Sequence, residues 1–305
     1  MQSHTIALAV DLGGTKVDAA LVTEDGEVVA GSVHRAPTGP RATREEIADA
    51  VLRVARDALA DLSPGDRLAG IGIGSAGPVD LAAGAIAPLN LPAAANLPIV
   101  ALLQELRPQV RVRLALDGAC IALAEHWRGA AAGTRNALAM VVSTGVGGGL
   151  IVDGEPVTGA SGNAGHIGQL RLRERRPGSP PTDGTLEHLA SGPHTVAWAR
   201  AHGWTGDTGE DLARDYAMGD PVAVAAVRRS ASAVGEAIAS AATLLDLEVA
   251  VVAGGFVQVA ADYLDLVRAS ARDAAAFDYV RRVRVAASGL GGHGPLIGAA
   301  ALILR

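Results

Sequence analysis

Asp11-Leu12-Gly13-Gly14-Thr15-Lys16 places a carboxylate, two glycines, a hydroxyl and an ammonium at the end of the apolar stretch Thr5-Ile6-Ala7-Leu8-Ala9-Val10. Glycines let backbone N–H groups turn towards phosphate oxygens, and Thr15 and Lys16 add donors. Asp11 could then hold a Mg²⁺ ion through its water shell. The plainer use of the same residues is a Gly-Gly hairpin with an exposed lysine. Ser143-Thr144-Gly145-Val146-Gly147-Gly148-Gly149 repeats the arrangement further along the chain. Two such turns facing one another across a cleft could clamp a triphosphate from both sides, with Thr144, Gly145 and Gly147 in the second.

Competing nucleotide motifs fail. A Walker A loop needs a Gly-Lys pair, and the chain has none. Gly72-Ile73-Gly74-Ser75-Ala76-Gly77 satisfies the dinucleotide pattern after a strand, but Pro78-Val79-Asp80 follows where an apolar helix should begin. No Asp or Glu lies between Leu81 and Gln104 to hold a ribose. This segment reads better as a glycine-rich turn beside a substrate, with Gly77 at its edge.

The elements that must position these loops follow from periodicity. The chain opens strand, glycine turn, strand, and an Asp25-Gly26 hairpin signal. Thr43 and Glu46 form a capping box before Ile47, Val51, Val54, Ala58, Leu59 and Leu62, an apolar helical face. Arg67 to Gly74 reads as a strand, Pro88 to Pro98 as a loop, and Val110 to Leu114 as a strand running into an alanine-rich helix from Asp117 to Trp127. A second antiparallel start, Ala137 to Val152 with a hairpin signal at Asp153-Gly154, echoes the first. A long helix from Pro221 to Leu247, strands at 248–253 and 283–287, and a closing helix from Pro295 to Leu304 complete the pattern. The echo predicts two related α/β lobes around a cleft: 1–117, 118–293, and a helix over 294–305 that packs back on the first lobe.

Composition bounds the partners. Of 305 residues, 49% are hydrophobic, which suits a sizeable core and rules out a disordered chain. With 32 acidic and 26 basic residues, a net charge of −6 and 3% aromatics, neither an electrostatic platform nor stacking surfaces for nucleic acid are provided. Cys120 is the single cysteine, so no intrachain disulfide and no cysteine-cluster metal site can form. Prolines and asparagines interrupt the uncharged stretch from Leu81 to Gln104, so no membrane span is expected, and the start carries no basic leader. The expectation is a soluble cytoplasmic protein. Lys16 is the only lysine, which reads most simply as a bias towards arginine.

Taken in order, six blocks resemble the ROK family of sugar kinases and repressors, within the actin, hexokinase and heat-shock ATPase superfamily. They are Asp11–Lys16, Gly74-Ser75-Ala76-Gly77-Pro78-Val79-Asp80, Leu116-Asp117 before the alanine-rich helix ending at Glu125, Ser143–Gly149, Gly162-Asn163-Ala164-Gly165-His166-Ile167-Gly168-Gln169, and Leu186-Glu187 leading to Ala190-Ser191-Gly192. The resemblance spans nearly the whole chain and is nearest to N-acetylmannosamine kinases and glucokinases. It implies a two-lobed, ribonuclease-H-like, actin-type ATPase fold with ATP, Mg²⁺ and a sugar in the cleft, and a homodimer.

Carried across by resemblance, Asp117 is the base that takes the proton from the attacking sugar hydroxyl; without it, an Asp opening a helix reads as an N-cap. Asn90 and Glu187 resemble sugar-binding residues, joined by Gly77, His166 and Gln169, and Gly254-Gly255 resembles the adenosine-side loop. Three departures stand out. Leu116 replaces an Asn that could bind a sugar hydroxyl. His166 stands where most members have Glu, as in the N-acetylmannosamine kinases. Gln169 replaces a zinc-binding His, and Arg171 to Pro181 replaces a Cys-rich loop, so no zinc is expected.

The function expected is an ATP-dependent sugar kinase acting on a hydroxyl, O6 foremost, of a hexose or N-acylated hexosamine. The alternative is a catalytically impaired sugar-binding sensor: ten residues precede Asp11, leaving no room there for the helix-turn-helix of a DNA-binding repressor. An ATPase without a phosphoryl acceptor ranks last.

Overall fold

The computed structural model describes residues 3–175 and 177–305. The chain begins β1 (Thr5–Leu12), β2 (Lys16–Thr23), β3 (His34–Pro37), α1 (Arg44–Ala60), β4 (Arg67–Ser75), β5 (Val79–Asp80), β6 (Ala85–Ile86), α2 (Ile99–Gln104), β7 (Arg111–Leu116) and α3 (Asp117–Arg128). It continues β8 (Ala137–Val142), β9 (Val146–Val152), β10 (Glu155–Pro156), α4 (Leu186–Ala190), α5 (Gly192–Ala201), α6 (Gly209–Ala217), α7 (Pro221–Leu245), β11 (Val249–Ala253), α8 (Tyr263–Asp273), α9 (Asp278–Arg281), β12 (Arg284–Ala287) and α10 (Gly294–Leu304).

Internal contacts divide the chain into two compact units. The first comprises Met1–Ala132, Pro156–Ala164 and Leu290–Arg305, and the second Gly133–Glu155 and Gly165–Gly289. The sequence places a boundary at Asp117, whereas α3 lies by its contacts with the first unit, packed on α10.

The first unit is built on a five-stranded sheet in the order β3-β2-β1-β4-β7. The β1–β2–β3 part is antiparallel, while β4 and β7 run parallel to β1. The central strands β2, β1 and β4 are almost continuously buried because both faces are covered, while the edge strands β3 and β7 carry exposed arginines. Helix α1 lies against β1 and β2, and α10 against β1, β4 and α3. Two glycines permit the second packing: a β-carbon on Gly72 would lie 1.8 Å from the Ala299 carbonyl oxygen, and one on Gly298 equally close to that of Cys120. The capping box at the start of α1 forms as its sequence predicts, Thr43 accepting from Glu46 N–H and Glu46 from Thr43 N–H.

The second unit repeats the plan, with a sheet ordered β10-β9-β8-β11-β12 and the same mixture of an antiparallel hairpin and parallel strands. The internal echo in the sequence is thus an echo in topology, and the ribonuclease-H-like expectation holds in each unit. Helix α7 is the unit's main support. Asp220 caps it by accepting from Val222 and Ala223 N–H, Pro221 occupies its first turn, and Asp246 ends it in the left-handed conformation. Its alanines and Gly235 let α8 approach closely, since a β-carbon on Gly235 would lie 2.6 Å from Ser270 Cβ.

Candidate functional site

In the first unit the site is laid out by strand register. Asp11 pairs with Asp18 across β1 and β2, Asp18 pairs with Arg35 on β3, and Asp11 pairs with Gly74 on β4. Directly opposed residues share a face of the sheet, so three charged side chains form one row ending at a glycine. Gly74 keeps space for its neighbours: a β-carbon there would lie 3.1 Å from Cys120 Sγ and 3.6 Å from Asp11 Oδ1. The Arg35 guanidinium grips the buried Asp18 carboxylate at 2.6 and 2.9 Å, and Lys16 Nζ stands 3.4 Å from it. This ion cluster holds the Asp18 carboxyl below its ordinary value against the opposing effect of burial, the largest single influence.

Asp11 fares differently. Burial first, and then the charges of Asp117 and Asp18, push its carboxyl up to about 7, with Lys16 opposing. Asp117 follows β7 as the first residue of α3, and burial pushes it to about 6 although Gly118 N–H donates to its Oδ1 at 2.6 Å. The N-cap position belongs to Leu116, whose side chain makes no cap, so Asp117 does not serve as a helix cap. Two partly buried carboxyl groups are thus close enough for the Asp117 charge to raise Asp11, with Lys16 the opposing cation, an arrangement that favours proton or cation uptake.

The glycine turn between β1 and β2 is held from behind. Gly13 N–H donates to the Lys16 carbonyl at 2.9 Å, and Thr38 bonds Thr15 O through its N–H and Gly13 O through its hydroxyl. Asn90 lies over this turn, and a β-carbon on Gly14 would stand 2.0 Å from its Nδ2. Asn90 sits beside Leu89, whose N–H reaches the Gly77 carbonyl at 3.4 Å. Asn163 clamps the next residues, accepting from Val79 N–H at 2.8 Å and donating to Val79 O at 2.7 Å. Asp11, Gly13, Gly14, Gly77, Asn90 and Asp117 thus gather in this unit. Leu116 is only 1% exposed and belongs to the hydrophobic core, so its side chain presents no surface to a ligand.

In the second unit Ser143–Gly149 forms the corresponding turn between β8 and β9. Glu187, on the short helix α4, accepts from Val146 N–H at 2.9 Å, and a β-carbon on Gly145 would lie 2.8 Å from its Oε2. Gly254 is left-handed at φ 108°, and a β-carbon there would lie 2.2 Å from Val142 O, so Gly254-Gly255 lies against the end of β8. His166 is exposed; partial desolvation lowers its pKa while the nearby Glu187 charge works the other way. Gln169 and His166 both line an apolar groove with Leu150 and Leu244. Thr144 and Gly255 border a cavity of about 510 Å³ whose wall includes the apolar Val196, Ala213 and Phe256 and the acidic Asp207 and Glu210.

Sequence reasoning missed Asp18, Arg35 and the walls of that cavity, and it placed Asn163 in a ROK-like block without giving it a role. A buried Asp in an apolar strand was the available signal for Asp18. Arg176, in the arginine-rich segment, lies outside the described residues. Among the described residues, no three His, Cys, Asp or Glu side chains gather to hold a metal ion, and no helix is long and apolar enough to cross a membrane.

A sequence model of the ROK family matches residues 7–305. An N-acetylmannosamine kinase of Yersinia pseudotuberculosis is 32% identical over 274 residues, which is 86% of this chain and 87% of the relative. Among solved structures, a ROK hexokinase from Thermus thermophilus is similar at a TM-score of 0.80 and 32% identity, covering 98% of this chain and 97% of that one. A ROK family glucokinase from Streptomyces griseus, solved with glucose and AMPPNP, matches at a TM-score of 0.81 and 28% identity over 98% and 99%.

Proposed function

Because the chain belongs to the ROK family, we propose that it is an ATP-dependent sugar kinase that phosphorylates a hydroxyl, O6 foremost, of a hexose or an N-acylated hexosamine. The observation that carries this reading is the partly buried carboxyl pair Asp11 and Asp117 beside the Gly13-Gly14 turn. A carboxyl with a pKa of about 6 is ionised at neutral pH yet basic enough to accept a proton during reaction.

In this reading Asp117 hydrogen-bonds the sugar hydroxyl and takes its proton as the oxygen–phosphorus bond forms. The bond from the γ-phosphorus to the β,γ-bridging oxygen breaks, and ADP departs. Phosphoryl transfer asks the protein mainly for alignment and charge stabilisation, so one carboxylate and donor-rich turns suffice. Gly13, Gly14, Thr15 and Lys16, and in the second unit Thr144, Gly145 and Gly147, supply donors for phosphate oxygens. The cavity beside Gly255 takes the base, with Gly254 allowing the backbone to pass. Asn90, Gly77, His166 and Glu187 orient the sugar; each side chain can fix the direction of a hydroxyl.

The donor set fits Mg²⁺ held through water, because Asp11 offers one carboxylate whose charge is crowded by Asp117 and Asp18. When bound, the ion neutralises phosphate charge. The residues do not fit structural zinc, since Gln169 offers an amide and Arg171 to Pro181 contains no thiol.

The test is ADP release over a panel of hexoses and N-acylated hexosamines, with the product's phosphorylated position read by ³¹P and ¹³C NMR. Sugar-dependent turnover supports the kinase. Sugar binding without any ADP release would instead establish the sensor.

A further inference from the structure

Among the described residues, the segment from Leu170 to Glu187 closes on itself through a set of hydrogen bonds whose centre is one guanidinium. Arg171 donates from Nη2 to the Pro181 carbonyl at 2.7 Å and from Nη1 to the Asp183 carbonyl. Around that fork the two ends of the excursion pair like strands: Leu172 and Arg173 N–H both reach Gly184 O, at 2.9 and 3.1 Å, and Leu186 N–H reaches Leu170 O at 2.8 Å. Gly184 is left-handed, and a β-carbon there would lie 2.4 Å from Arg173 O, so the close approach needs glycine. The buried Asp183 accepts from Ser179 Oγ at 2.6 Å and faces His188 Nε2 at 3.5 Å. Arg173 fastens the segment to α7 through both Glu236 oxygens, at 2.6 and 2.8 Å. Thr185 then caps α4, and Glu187 reaches the Val146 N–H.

We infer that Arg171 is a positioning residue: by bonding two carbonyls of the returning chain, it closes the 171–185 excursion and fixes where Glu187 stands. A cross-link across a loop limits the conformations its ends can sample, whether the link is a metal or a hydrogen-bonded fork. A planar guanidinium can span two carbonyls in fixed geometry, whereas an ammonium is a single point of attachment. The position of Glu187 in turn sets the Val146 N–H, and, on the reading of Glu187 as sugar-binding given above, the affinity for sugar.

Arg171→Ala and Arg171→Lys, compared with the full-length parent, test this by hydrogen–deuterium exchange and steady-state kinetics. Losing the fork should speed exchange at the Val146 amide about tenfold, the size expected for one net hydrogen bond to a charged group. KM for the sugar should rise by about the same factor while kcat and KM for ATP change less than about threefold. Arg171→Lys should recover less than half of the exchange effect, because its ammonium cannot hold both carbonyls at once. Unchanged Val146 exchange in both variants would overturn the inference, as would stoichiometric zinc whose removal by a chelator, in excess Mg²⁺, speeds that exchange. If the parent transfers phosphate to no sugar, the function fails but the exchange measurement still decides the role of Arg171.

Discussion

Asp117→Asn should push stability and activity in opposite directions. Burial raises the Asp117 carboxyl from 3.8 to about 6, so the folded protein holds that proton more tightly than the unfolded chain. The stability so conferred is present below pH 4 and is lost as pH rises through the window from about 4 to 6. At pH 8 the parent carries the full penalty, at most about 3 kcal/mol at 1.36 kcal/mol for each tenfold change in proton affinity. Asparagine is neutral, similar in shape, and can still accept the Gly118 N–H. The variant should therefore gain up to about 3 kcal/mol at pH 8 and nothing below pH 4. With an unfolding entropy near 2.1 cal/mol/K per residue, 305 residues give about 0.6 kcal/mol per degree, and Tm should rise by roughly 5 °C. Turnover should meanwhile fall by about 10²–10⁴-fold, with nucleotide binding retained. Calorimetric unfolding of both proteins at pH 4, 6 and 8, beside the sugar-dependent ADP assay, checks each part. A variant destabilised equally at all three pH values would refute the reasoning, because Asp117 would then be a structural acceptor and not an uncompensated charge.

Three further outcomes follow from the same geometry. The parent's kcat/KM should climb about tenfold per pH unit below about 6 and level off above it as Asp117 ionises; a flat profile from pH 5 to 8 would remove Asp117 as the base. Gly14→Ala should displace the exposed Asn90 side chain, whose Nδ2 would lie 2.0 Å from the new β-carbon. It should raise the sugar KM about tenfold with the fold intact by circular dichroism, the loss expected for one hydroxyl contact. Asp18→Asn should weaken the grip on Arg35 and Lys16 and cost about 1–3 kcal/mol in denaturant unfolding. Since Lys16 is the only lysine, peptide mapping after amine-reactive labelling reads it alone, and its labelling should quicken; an unchanged rate would mean Asp18 does not hold it.

What the sequence made legible was local. The capping box at Thr43 and Glu46, the glycine turns and the strand-to-helix passage into Asp117 each depend on residues a few positions apart. The repeat of strand, turn, strand also carried topology, because a hairpin start followed by helices and parallel strands has few ways to close a sheet. A second capping box at Thr208 and Asp211 went unread, since Asp stands where Glu or Gln is usual. The rest depends on contacts that spacing cannot reveal. Asp18 reads as a polar interruption in an apolar strand until register sets it opposite Asp11 and Arg35. Asn163 and Val79 are 84 positions apart, and Glu187 meets Val146 from 41 positions away.

Leu116 shows the converse. Judged by residue type it is a lost sugar contact, yet its side chain is 1% exposed within the core of the first unit. At the junction of β7 and α3 the last three residues of the strand, Leu114, Ala115 and Leu116, are all buried, so the position before Asp117 is a core position. Replacing Leu116 with Asn would bury an amide among apolar neighbours at a cost of about 1–3 kcal/mol unless it found a partner. The replacement and its surroundings are therefore one packing solution. The polar side chains that the fold does leave beside its glycine turns are Asn90, over Gly14, and Glu187, on the Val146 N–H.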